Sequence, residues 1–115
     1  MRIVDSRNRI TLDALKDMAK NMFGDMVKAV VDVSTGRMVV DAELHADEEA
    51  LLIEKGSSQD ELWGINLYPE LEGDDFVEYD SMINLRPSQG NDSRGVKDPA
   101  LRMRLRQIVD GLVAR

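Results

Sequence analysis

Apolar residues recur along the chain with two periods, and the switches between those periods outline the elements. Leu12, Leu15, Met18, Ala19, Met22 and Phe23 follow helical spacing, so a first helix is predicted over 12–23. Thr11 stands where its hydroxyl can accept an orphan backbone N–H, and Gly24 is placed to end the helix in left-handed backbone. From 26 to 33 the chain is rich in valine and the period falls to two. Ser34-Thr35-Gly36 reads as a turn, with 37–41 as the returning strand. Ala29, Val31 and Val33 then share a face, opposite Met38 and Val40 across the ladder.

A short helix is predicted over 48–55, with Asp47 as its cap, Glu48 and Glu49 favouring its positive end and Gly56 stopping it. Leu51 and Leu52 are expected to reach the core. A second hairpin is predicted from 62–68 and 76–86, joined by the polar loop 70–75. Val77, Tyr79, Ile83 and Leu85 alternate there with Glu78, Asp80, Asn84 and Arg86, the pattern of a half-buried strand. Trp63 and Tyr79 are expected in the core and Tyr68 at its edge. After a polar loop at 87–97, Asp98-Pro99 pairs a cap with a proline at the first helical position. Leu101, Leu105, Ile108, Val109 and Leu112 form the buried stripe of the last helix.

The order α-ββ-α-ββ-α, with local hairpins, predicts a single α+β domain over 1–115. Its sheet should be mainly antiparallel, with helices packed on one face. No linker or repeat interrupts it.

Charge sharpens this picture. The net charge is −7, but residues 41–80 carry 14 carboxylates and one base, Lys55, while both flanking segments are mildly basic. That balance opposes general nucleic-acid binding, which needs clustered cations. An acidic run is ordinarily a solvated face; a basic partner or a divalent cation is the sharper alternative. The absence of cysteine removes disulfides and thiolate chemistry. With no membrane-length apolar run and no signal-peptide core at the N-terminus, a cytoplasmic location is expected.

Three stretches carry a resemblance. They are Gly24-Asp25-Met26-Val27-Lys28-Ala29-Val30-Val31-Asp32; Glu43 to Leu52 together with Leu62-Trp63-Gly64-Ile65-Asn66-Leu67-Tyr68-Pro69; and Asp80-Ser81-Met82-Ile83-Asn84-Leu85-Arg86-Pro87-Ser88-Gln89-Gly90-Asn91. Together they resemble a family of small prokaryotic proteins classed as a domain of unknown function. The resemblance implies a single cytoplasmic domain and carries over no activity, ligand or catalytic residue.

Two groups of residues could carry chemistry. If 43–47 prolongs the preceding strand, Glu43, His45 and Asp47 point to one face. With Asp80 they would suit a divalent cation such as Mg²⁺, Mn²⁺ or Zn²⁺. The structural alternative has Asp47 as a cap, Glu43 as a surface charge and His45 as a corner hydrogen-bonder. The second group is Asn84, Arg86, Ser88, Gln89, Asn91, Ser93 and Arg94, whose donors and glycine-rich backbone could cradle an anion or a partner. It lacks the order of a phosphate loop or a dinucleotide loop, and Asn and Ser in loops commonly bond their own backbone.

No complete catalytic motif is present. The expectation is a non-catalytic protein-interaction module, as a homo-oligomer or with another protein. The alternative is a small divalent-metal-dependent enzyme acting on a phosphate-bearing substrate, in which the metal is the one cofactor implied and Arg86 and Arg94 neutralise the anion.

Overall fold

Thr11 and Asp98 cap their helices as their side chains suggest. In the computed structural model, which describes residues 1–115, the Thr11 hydroxyl accepts from the Ala14 N–H at 3.1 Å and opens α1, Leu12–Asn21. Asp98 accepts from the Ala100 N–H at 2.9 Å and opens α3, Pro99–Leu112. α1 stops two residues before the predicted end, and Met22 and Phe23, expected in its buried stripe, lie past that end and are exposed. Gly24, at φ +97°, turns its N–H back onto the Ala19 carbonyl at 2.6 Å.

The first hairpin, β3 (Val27–Asp32) and β4 (Arg37–Val40), has the expected register, with Ala29 opposite Val40 and Val31 opposite Met38. Asp32 fixes the turn. Its carboxylate accepts from the N–H groups of Ser34 and Thr35 and from the Ser57 hydroxyl. Burial pushes the Asp32 carboxyl up, but these hydrogen bonds outweigh it and hold the group below its ordinary value.

β1 (Arg2–Val4), β5 (Leu62–Leu67) and β6 (Val77–Glu78) join this hairpin. The five strands form one antiparallel sheet in the order β1-β4-β3-β5-β6. A separate parallel pair, β2 (Ile10–Thr11) with β7 (Val113–Ala114), ties the start of α1 to the end of α3. β1, β2 and β7 are too short to leave a periodic signal. No helix is long and apolar enough to cross a membrane.

The expectation of helices on one face holds for α1 and α3. Their Leu15, Leu105, Val109 and Leu112 pack with Val31, Met38, Val40, Ile65 and Phe76. The remaining helix, α2 (His45–Glu54), covers the opposite face, where Leu52 meets Val30, Val39 and Leu62. The cause is legible in retrospect: Val30, Val39 and Leu62 are apolar on the face away from α1 and α3, and β5 is buried along its whole length, so that face needs cover as well. Trp63 is buried in the main core, and Tyr79 packs on its rim with its hydroxyl donating to the Arg102 carbonyl.

The second hairpin departs from prediction. β6 pairs with β5 for two residues only, and the alternating run beyond it is not a strand. Continuing that register would set Asp80 opposite Gly64. Instead the chain folds over Gly64, and residues 82–84 make a single tight helical turn capped by the Ser81 hydroxyl. The crossing is close, since a Cβ on Gly64 would lie 2.5 Å from the Ser81 Cβ. Gly64→Ala is therefore expected to lower stability by about 2 kcal/mol in urea unfolding. Gly111→Ala, whose added methyl meets nothing within 4 Å, serves as the control and should be neutral or stabilising.

Candidate functional site

Asn84 stands where the strand pairing fails. Its side-chain oxygen accepts from the Gly64 N–H at 2.9 Å, and its amide donates to the Gly64 carbonyl at 2.9 Å and the Arg94 carbonyl at 3.0 Å. One side chain thus supplies both bonds that a neighbouring strand would have made. Asn91 does comparable work inside the loop. It donates to the carbonyls of Asn84 (2.7 Å) and Gly95 (2.8 Å) and accepts from the Lys97 N–H (3.0 Å). Both asparagines are buried and occupied by backbone, so they are struts of the loop and hold no donors for a ligand.

The other loop candidates divide. Ser88 and Gln89 are exposed, with Gln89 donating to the Asp60 carbonyl, and Ser93 is half-buried. Arg94 is exposed and bonded to Asp80 at 2.8 Å. Arg86 is different. Its guanidinium lies 4.7 Å from the Trp63 ring centre, donates to the Leu62 carbonyl, and faces Glu49 at 3.4 Å. Burial lowers its pKa from the usual arginine value against the pull of Glu49 and Asp60.

The arrangement needed for the Glu43, His45 and Asp47 metal site does not form. Asp41 turns the chain at φ +72° and α2 begins at His45, three residues before the predicted start. Leu44, not Asp47, occupies the cap position, without a side-chain bond to the helix end. Two residues apart on a helix point about 200° apart, so His45 turns inward while Asp47 faces water, as does Glu43. No three His, Asp or Glu side chains group as a metal would require. His45 Nε2 donates to the Ile65 carbonyl at 2.8 Å. Burial lowers its pKa further than that bond raises it, which keeps the ring neutral.

What the structure does bring together are the two predicted groups themselves. The N-terminal end of α2 and the loop after β6 face each other across a groove, in which Met82 and Ile83 separate two pockets. One, about 170 Å³, is lined by Lys28, His45, Arg94, Leu44 and Met82. The other, about 290 Å³, is lined by Arg86, Glu49, Asp60, Met82 and Leu85. Leu44, Met82 and Leu85 are 56, 62 and 40% exposed, an apolar ridge along a charged groove. A larger cavity, about 450 Å³, lies between β6 and α3. Its arginines are already occupied, Arg102 by the Val96 carbonyl and Arg106 by Asp110 and the Gly73 carbonyl.

Sequence reasoning missed Glu48, which is fully buried beneath α2 with neither carboxyl oxygen hydrogen-bonded. Burial pushes its pKa up to about 10, while the Ala42 backbone and Lys28 pull weakly the other way. The missing signal was the helix start. Once α2 begins at His45, the spacing His45, Glu48, Glu49, Leu52 marks its inner face.

The family described as "Protein of unknown function (DUF5674)" matches residues 3–112, and the chain belongs to it. No curated protein and no solved structure matches.

Proposed function

We propose that this member of a family of unknown function is a non-catalytic protein-interaction module, and that the groove between α2 and the loop at 81–94 is its binding face. The observation that carries the reading is the exposed ridge of Leu44, Met82 and Leu85 between two charged pockets. Partner surfaces combine apolar anchors with a polar rim in this way. The occupant is a segment of another protein that lays an apolar side chain on the ridge. Three of its polar groups are engaged in holding the fold: His45 bonds Ile65, and Asn84 and Asn91 bond backbone. The rival reading, a divalent-metal enzyme acting on a phosphate-bearing substrate, lacks a converging ligand set.

A photo-crosslinking residue at Met82 tests the proposal, with one at Lys20, on exposed α1, as the reference. In the chain expressed in its own cell, Met82 is expected to give one discrete protein adduct that Lys20 does not, and Leu44→Asp should reduce it at least fivefold, roughly 1 kcal/mol of binding. An adduct of twice the chain mass would replace the partner by a second copy. Identical adducts at both positions, or none, would overturn the reading.

A further inference from the structure

His45 is only 8% exposed, and one of its two ring nitrogens is unused. A carbonyl can only accept, so Nε2, bonded to the Ile65 carbonyl, carries the ring hydrogen. In the neutral ring Nδ1 is then a bare acceptor. It has no protein partner, and it is not among the side-chain atoms sealed from solvent. The cavity that His45 lines is the 170 Å³ pocket at the start of α2.

That pocket runs against the charge of the chain. The chain carries −7, yet the pocket is lined by Lys28, His45 and Arg94 and by no carboxylate. Lys28 enters no ion pair, and its ammonium lies 5.2 Å from the Phe23 ring centre. Arg94 gives only its Nε–H to Asp80, which leaves both terminal nitrogens free. The charged groups acting on the His45 ring are Lys28 from β3 and Asp80 and Arg94 from the loop; on α2 itself Asp47 faces water and Glu48 holds its proton. Leu44, Ala46, Met82 and Ile83 complete the wall.

A ligand that matches this wall offers anionic oxygens to Lys28 and Arg94 and a hydrogen to Nδ1. A divalent cation would meet two bases. A carboxylate at neutral pH accepts but has no hydrogen to give. A phosphate monoester has both, because its second ionisation lies at about pH 6. The cavity is roughly five to six times the ~30 Å³ share of a liquid water, which holds a phosphoryl group and the first carbons of its ester.

We propose that this pocket binds a phosphate monoester in its singly protonated form, with Lys28 and Arg94 holding the ionised oxygens and His45 Nδ1 accepting from the remaining P–OH. This goes beyond the interaction-module reading and does not depend on it: a missing Met82 adduct would leave the phosphoryl site in place, and a missing phosphoryl site would leave the adduct.

His45 is the sole histidine, so its ring resonances report on the pocket without ambiguity. Titration of the intact protein with methyl phosphate, followed by NMR at that ring, is expected to give saturable shifts at pH 7 with a dissociation constant of about 1 mM. The bound form keeps a proton that the free ester has largely released, so affinity should fall about tenfold from pH 7 to pH 8. Methyl sulfate, a tetrahedral anion with no acidic hydrogen, should bind about tenfold more weakly. Lys28→Gln, at a half-buried position that supports no hydrogen bond of the fold, should weaken methyl phosphate about tenfold. No saturable shift, equal binding of methyl sulfate, affinity that holds or rises from pH 7 to pH 8, or full affinity in Lys28→Gln overturns the proposal. N-acetyl-phosphoserine amide distinguishes the sources of the group. Tighter binding than methyl phosphate assigns it to a phosphorylated side chain, equal or weaker binding to a free small ester, and either supports the phosphoryl site.

Discussion

Asn84→Ala is expected to destabilise the domain by about 4 kcal/mol, a large share of what a small domain possesses. The truncation leaves the Gly64 N–H and the Gly64 carbonyl without their partner and strips the Arg94 carbonyl of one of its two donors, the Ser81 N–H remaining, and each buried orphan costs about 1–3 kcal/mol. The effect should be local as well as global. The Gly64 amide should exchange with solvent faster than its neighbours in β5, and the 81–94 loop should loosen with it. Asn84→Asp is a sharper version: it can still accept from the Gly64 N–H, but it loses both donations and adds a buried charge. Its loss at neutral pH should be at least as great and should shrink under mild acid. A deficit below about 1 kcal/mol in urea unfolding for Asn84→Ala would show that Asn84 does not hold the loop to the sheet.

Glu48→Met is expected to act in the opposite direction and raise stability at pH 7 by about 3 kcal/mol. Glu48 has a folded pKa of about 10 against an ordinary value of 4.5. At pH 7 the folded chain therefore holds a proton that the unfolded chain has released. Folding must take that proton up, which costs about 1.4 kcal/mol per pH unit above 4.5. The contribution of Glu48 is thus fully present below pH 4.5 and is lost as pH rises towards 10. His45 runs the other way. Its folded pKa is lowered, so it subtracts stability as pH falls below 6.5. Comparing native protein with Glu48→Met across pH 5–8 isolates the carboxyl, because His45 is common to both. The gap between the two should widen steadily with pH. Parallel stability curves would mean that Glu48 is ionised and paired in the folded state. Glu48→Gln should flatten the pH dependence with a smaller gain, because a buried amide remains without partners.

Part of the groove could be read from the residues. His45, Asp80, Arg86 and Arg94 stand out in the sequence as candidates, and all four lie at or beside it. Their grouping could not be read. An extended chain would group His45 with Glu43 and Asp47, because alternate residues share a face, and α2 begins too early for that. By sequence pattern Arg86 is one more polar residue on an alternating strand, yet its neighbours are Trp63, Leu62 and Glu49. Asn84 and Asn91 looked like ligands because an asparagine amide serves a ligand and a backbone equally well. Only the positions of Gly64 and Gly95 show which it serves.

By itself the sequence determined what depends on near neighbours: the caps at Thr11 and Asp98, the left-handed stop at Gly24, the turn at 34–36, the register of the first hairpin and the buried stripes of α1 and α3. These follow from side-chain spacing and from bonds a few residues long, which the local chain fixes alone. Tertiary structure decided the rest. α2 took the second face because Val30, Val39 and Leu62 needed cover there, β6 ended after two residues because Ser81 and Asn84 closed over Gly64, and Glu48 and Arg86 were buried without full partners. Each of these outcomes turns on which distant group lies opposite, and a buried polar atom takes its energy from that group rather than from its place in the chain.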